Sequence, residues 1–140
     1  MRQIRSSNVG AEIAGQDEDE LLTDIRKSMG HIDRLPLNVT RMVDRYLQDM
    51  SRVISEIARV LVPGGKAFII VGDSNLRGIY IRNSVGIRLL AEAHGLELAG
   101  TTRRHIPSHR RYLPPPRLQP GNELAKRMRT EVLLSFRKAD

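Results

Sequence analysis

The chain of 140 residues contains no cysteine, which excludes a disulfide framework, a thiol nucleophile and every zinc site built on thiolates. A reducing compartment fits that absence. No apolar run approaches the roughly 20 residues that a membrane-spanning helix needs, and residues 1–15 hold no stretch of the kind a signal peptide carries. A soluble, cytoplasmic protein with no membrane partner is expected. Net charge is missing too from the first hundred residues, where thirteen Lys and Arg face thirteen Asp and Glu.

The composition is globular, with 40% hydrophobic and 28% charged residues, on a length that suits one domain with one modest core. The whole net charge of +7 lies in the last forty residues. There Arg103, Arg104, Arg110, Arg111, Arg117, Lys126, Arg127, Arg129, Arg137 and Lys138 face only Glu123, Glu131 and Asp140. Such a segment favours a polyanionic partner such as nucleic acid, because neutralising phosphates releases counterions. A merely solvated basic face is the alternative.

Residues 1–16 show no period and are expected to be loop. From Asp17, acids precede Leu21, Leu22, Ile25 and Met29, an amphipathic helix with its carboxylates at the positive end of the dipole, ended by Gly30. The clearest helix spans residues 38–61, where Val39, Met42, Val43, Tyr46, Leu47, Met50, Val53, Ile54, Ile57, Val60 and Leu61 recur at three and four. Asn38 is its candidate N-cap, and Arg45 with Asp49 and Arg52 with Glu56 are opposite charges four apart. Pro63, Gly64 and Gly65 stop it.

Residues 66–71 (Lys-Ala-Phe-Ile-Ile-Val) are too short for a helix and read as an interior strand buried on both faces. Gly72-Asp73-Ser74-Asn75 follows as a loop at the strand's carboxyl end, the edge where open α/β sheets bind ligands. A helix capped by Asn83 or Ser84 carries Val85, Ile87, Leu89, Leu90 and Ala93 and closes at His94-Gly95. Strands are expected at 96–102 and 130–136, separated by an arginine- and proline-rich loop at 103–122 and a short helical stretch at 123–129.

This order, with Arg59-Val60-Leu61-Val62-Pro63-Gly64-Gly65 entering a buried strand, resembles the C-terminal half of a class I S-adenosylmethionine-dependent methyltransferase. A narrower set is similar to the DNA methylases that modify exocyclic amino groups of adenine or cytosine. It comprises Tyr46 with Asp49-Met50, Val71-Gly72-Asp73-Ser74, Arg104-His105-Ile106-Pro107, Arg110-Arg111-Tyr112-Leu113-Pro114, and Arg127-Met128-Arg129-Thr130-Glu131-Val132-Leu133 closing into Phe136-Arg137-Lys138. The resemblance covers roughly residues 39 to 138. It implies an α/β fold holding the later strands and helices of a doubly wound, Rossmann-like sheet, with residues 1–37 as an N-terminal loop and short helix and 38–140 as the half-domain.

Two family motifs are missing: the glycine-rich cofactor loop, and the Asp/Asn/Ser-Pro-Pro-Tyr/Phe motif that holds the target amine. Pro114-Pro115-Pro116 has no following aromatic and reads as a stiff polyproline segment. Methyl transfer from a sulfonium to an amine requires alignment of both reactants and acceptors for the amine's protons, and the missing motif supplies those acceptors. No catalytic residue is therefore expected here. The chain is expected to be a fragment of a site-specific methyltransferase, inactive by itself, with S-adenosylmethionine the cofactor of the complete enzyme.

Asp73 and Ser74 are the candidate substrate-pocket residues, with Asp73 capping a turn as the alternative. Arg103, Arg104, His105, His109, Arg110, Arg111 and Tyr112 are the candidate nucleic-acid contacts, since arginine forks suit phosphates, an aromatic can stack on a base, and enzymes that modify a base in a duplex must extrude it. Pairing of these arginines with the acids at 17–20 is the competing use. His105 and His109 have no carboxylate or thiolate neighbour in sequence, so no metal is expected. DNA is the expected partner, and an open sheet edge would invite a second copy or a complementing subunit. A non-catalytic basic module that binds nucleic acid or completes a partner is the alternative function; a small-molecule methyltransferase would share the turn but have no need of the arginines.

Overall fold

The computed structural model describes residues 15–107 and 130–140. Helix α1 (Gly15–Ser28) carries Asp17 and Glu18 in its first turn, as the sequence pattern predicts, and buries Leu22 and Ile25, with Met29 buried just beyond it. A short 3-10 turn, Ile32–Arg34, leads into α2 (Leu37–Val60). The residue before α2 is Pro36 and no side chain caps it, so Asn38 lies inside the first turn and is not the N-cap. Val43, Leu47, Ser51, Ile54 and Ala58 form the buried row of α2. A neighbouring row leaves Met42, Val53 and Val60 exposed. The ion pairs on the polar face run three apart, Asp49 with Arg52 and Glu56 with Arg59, rather than the expected four.

Strand β1 (Lys66–Val71) is followed by two short strands, β2 (Ser74–Leu76) and β3 (Ile79–Ile81), then by α3 (Asn83–Ala93), β4 (Leu96–His105) and β5 (Thr130–Lys138). The main sheet has the order β1-β5-β4. Because β5 runs antiparallel to both neighbours, β1 and β4 are parallel to each other and end on the same edge. One face packs under the helices through Val132, Leu134 and Phe136, all buried; burying such side chains contributes about 1.5–3 kcal/mol each. The other face carries Phe68 and Ile70 beside Ser135 and Leu133.

Two expectations need correction. The 66–71 strand is not interior: it forms the rim of the sheet, alternates in burial, and leaves Phe68 65% and Ile70 53% exposed. The run is apolar on both sides, yet the described residues supply a neighbour on one edge and cover on one face. Second, β4 continues to His105 instead of ending at Thr102, because Arg103, Arg104 and His105 pair with Val132, Glu131 and Thr130 of β5.

The glycine hinge is used as its residues imply. Gly64 adopts a φ of +74°, and a Cβ on Gly65 would lie 2.8 Å from the Val62 carbonyl oxygen. Gly64 N–H donates to Lys138 O and Lys138 N–H to Gly65 O, which ties the turn to the end of β5.

Candidate functional site

The candidate edge is built where β1 and β4 end. Sequence reasoning places a plain loop after β1; the chain instead folds back as the β2–β3 hairpin, pairing Ser74 with Ile81, Asn75 with Tyr80 and Leu76 with Ile79. Its two turn residues, Arg77 (φ +50°) and Gly78 (φ +82°), are both left-handed, the requirement of the tight type I′ hairpin whose twist matches its strands. An Arg-Gly pair flanked by Ser-Asn-Leu and Ile-Tyr-Ile was the available signal. It is weak, because asparagine or aspartate is the usual residue before the glycine.

Asp73 sits at the centre and is buried. Its Oδ1 accepts the backbone N–H of Ser84 in the first turn of α3 at 2.9 Å, and its Oδ2 accepts the Tyr80 hydroxyl at 2.9 Å. The Arg103 guanidinium lies 3.8 Å from that second oxygen. The carboxylate thereby joins three elements: it satisfies an orphan donor at a helix start, where negative charge is favoured, fixes the hairpin, and draws in the end of β4. Asn83 Nδ2 completes the junction by donating to Ser74 Oγ at 2.7 Å and to Gly72 O at 3.0 Å. Asp73 and Ser74 are thus brought together, each engaged with α3.

Of the seven nominated nucleic-acid residues, Arg103, Arg104 and His105 lie exposed on the last residues of β4. Arg104 donates through Nε to Glu131 Oε1 across the ladder. Arg103 and Arg104 meet Asp73 and Glu131 rather than the acids at 17–20. His109, Arg110, Arg111 and Tyr112 lie outside the described residues, as does the stretch expected to be helical at 123–129. Two members of the basic tail have structural partners: Lys138 Nζ donates to Ala58 O at 2.6 Å and Leu61 O at 2.8 Å, and Arg137 pairs with Asp140 at 3.1 Å.

Tyr80, which the sequence reading passed over, is half exposed, and its strand packs against the turn that follows α1. Arg82 N–H donates to Met29 O at 2.8 Å, and Gly30, at φ +139°, approaches so closely that a Cβ there would lie 2.6 Å from Tyr80 O. A concavity of about 240 Å³ lies near that turn, lined by Arg26, Lys27, Gly30, His31, Ile32, Asp33 and Thr40; none of the nominated residues lines it. Away from the edge, Ser51 Oγ and His94 Nε2 share a hydrogen bond of 3.0 Å. Burial pushes the His94 imidazole below its ordinary pKa, an effect that the charge of Glu18 partly opposes.

The described part of the chain has a partial α/β methyltransferase-like fold, a mixed helix and strand unit whose last strand is inserted antiparallel between two parallel ones. The chain matches a protein from Thermus thermophilus assigned as a DNA modification methylase, in complex with S-adenosyl-L-methionine, at 23% identity and a TM-score of 0.53, over 76% of this chain and 42% of that one. The selenomethionine derivative of the same protein matches at 21% identity and a TM-score of 0.52, over 83% of this chain and 50% of that one. The chain therefore spans half or less of the protein it matches. No protein-family model and no curated protein sequence matches it. No helix among the described residues is long and apolar enough to cross a membrane.

Proposed function

We propose that this chain is the later half of an S-adenosylmethionine-dependent DNA methyltransferase acting on exocyclic amino groups, and that it works within a larger unit in the cytoplasm. The observation that carries the reading is the sheet itself: the order β1-β5-β4 ends at β1 in an apolar rim with Phe68 and Ile70 uncovered. An edge without Pro or an inward charge is one that natural sheets avoid leaving open. The occupant we assign to it is the earlier half of such a sheet, as a complementing subunit or a further part of the polypeptide, with a second copy of this chain as the competing occupant.

S-adenosylmethionine, when bound, supplies the electrophilic methyl group. The described residues by themselves do not make a site for it: both Asp73 oxygens are taken by Ser84 and Tyr80, and no buried side-chain polar atom among them lacks a partner. We therefore assign this half no step of the transfer. Its contribution is the nucleic-acid side, through Arg103, Arg104 and His105 together with His109, Arg110, Arg111 and Tyr112, while Asp73 and Ser74 shape the target-base pocket. The engagement of Asp73 also favours a second reading, a non-catalytic basic module.

The test is duplex DNA binding by fluorescence anisotropy over a salt series, with calorimetry of S-adenosylmethionine against the chain alone and against a polypeptide that also carries the glycine-rich loop and the amine-holding motif. The reading expects binding that weakens steeply with salt, loss of that binding in Arg110→Ala/Arg111→Ala, and cofactor heat only in the longer polypeptide. Absence of DNA binding would sink it. DNA binding without cofactor heat in either form would leave the non-catalytic module in its place.

A further inference from the structure

The outward face of the β2–β3 hairpin carries a feature that the methyltransferase likeness does not supply. The register pairs Asn75 with Tyr80, so their side chains lie side by side on one face of the ribbon, and both residues are exposed. Ser74 and Ile81 occupy the opposite face, where Ile81 is buried. The Tyr80 ring is held at one end by its hydroxyl on the buried Asp73. At the other end the Tyr80 carbonyl lies against Gly30, where a Cβ would come within 2.6 Å of it, and the strand is tied two residues further on by Arg82 N–H to Met29 O. Arg103 lies 3.8 Å from the carboxylate oxygen that also takes the tyrosine hydroxyl, which brings a cation to the hydroxyl end of the residue.

The turn adds an independent observation. Arg77 is the one non-glycine with positive φ among the described residues, in a position that favours asparagine or glycine, and a left-handed non-glycine costs about 1–2 kcal/mol. The type I′ turn requires that φ, and the chain meets it with an exposed cation where asparagine or glycine would cost less. An exposed, strained cation at the tip, an immobilised aromatic face, an amide beside it and an arginine at its hydroxyl end make up the chemistry that receives an unstacked nucleobase. The ring stacks, the amide reads a base edge, and the guanidinium groups meet the flanking phosphates.

We propose that Tyr80 and Asn75, flanked by Arg77 and Arg103, form a seat for an unstacked base of a nucleic-acid strand. This rests on the nucleic-acid reading above and adds its stacking residue. The base can come from a single strand or be extruded from a duplex. The ring is already restrained before the ligand arrives, so little side-chain freedom is lost on binding.

The experiment titrates the full chain into oligonucleotides carrying 2-aminopurine, as a single strand and within a duplex, following anisotropy for affinity and 2-aminopurine emission for stacking. Tyr80→Ala should weaken binding about ten-fold, the scale of one base–aromatic stack, and abolish the change of emission. Tyr80→Phe, which keeps the ring, should retain that change. The Tyr80→Ala deficit should persist at high salt, unlike the losses from Arg77→Ala and Arg103→Ala, which should shrink as counterion release is suppressed. Far-ultraviolet circular dichroism checks each fold, and Tyr80→Leu, which keeps an apolar strand residue without a ring, replaces the alanine variant should that unfold. A Tyr80-dependent change of emission in the single strand alone assigns the seat to unpaired strands; a rise in duplex emission that the ringless variants lose assigns it to extruded bases. If oligonucleotides bind and the ringless variants match the unaltered chain, the seat is refuted while the nucleic-acid reading survives. If nothing binds, both fall.

Discussion

Lys138→Met is the sharpest test of how this sheet is held against α2. The ammonium of Lys138 donates to Ala58 O at 2.6 Å and Leu61 O at 2.8 Å, carbonyls of the last turn and C-cap of α2, while its backbone pairs with Gly64 and Gly65. One side chain from the end of β5 thus caps the helix that feeds β1. Methionine keeps the length and loses the charge and both donors. A hydrogen bond from a charged group contributes about 1.5–3 kcal/mol, and a cation at a helix C-terminus about 0.3–1 kcal/mol when exposed and up to about 2 when partly buried. The two bonds share one desolvation cost, so the expected loss is about 2 kcal/mol, read as a lower midpoint in urea with an unchanged slope. Arg137→Met is the control. Its partner Asp140 is three residues away in an exposed pair, and such pairs contribute about 0–1 kcal/mol. Equal losses in the two variants would show that Lys138 is only another solvated cation and that the cap is not formed.

Four further outcomes follow from particular contacts. His94 has a folded pKa below its ordinary value of 6.5, so below that pH the unfolded chain binds the proton first; stability should fall as pH drops from 7 and level off below the folded value. His94→Gln should flatten that part of the urea-midpoint profile, and an unchanged profile would contradict the assignment. Gly30→Ala places a Cβ 2.6 Å from Tyr80 O at a φ of +139° and should cost about 2 kcal/mol or more, measured by thermal unfolding; a neutral effect would mean that the turn and hairpin do not meet. Phe68→Ser, at a 65% exposed position, should change the stability of the chain by no more than about 0.5 kcal/mol, whereas Phe136→Ala should cost about 3–5 kcal/mol. A large loss in Phe68→Ser, with dimers in sedimentation equilibrium, would show that a second copy covers the rim. Arg77→Asn should stabilise the hairpin by about 0.5–1 kcal/mol while weakening oligonucleotide binding, and a loss of stability would contradict the left-handed turn.

The helices were legible because their cause is local. Hydrophobic spacing alone places α1, α2 and α3 within a few residues of their observed bounds, and the glycine hinge announces itself because no other residue fits both the φ of Gly64 and the space at Gly65. Strand identity at 66–71, 96–102 and 130–136 was equally plain. What periodicity could not show was which strand would be the rim. Lys66–Val71 reads as interior because its apolar residues fall on both faces, and only the order β1-β5-β4 reveals that the described residues cover one of them.

The candidate site divides in the same way. Residue type and charge singled out Asp73, Ser74, Arg103, Arg104 and His105 from the sequence, since carboxylates at strand ends and clustered arginines carry their chemistry with them. Tyr80, Arg77 and Asn75 came from the tertiary structure alone, because an aromatic becomes a recognition surface only when folding fixes its ring and leaves its face open. Lys138 moved the other way, from an apparent member of a nucleic-acid tail to a helix cap, through contacts 80 and 77 residues away in the chain. Sequence alone determined the elements and their charge, which depend on neighbours within a turn or a strand. The three-dimensional structure decided which strand is the rim among the described residues, which cations are already partnered and which ring is held, because each of these depends on groups that meet only after the chain has closed on itself.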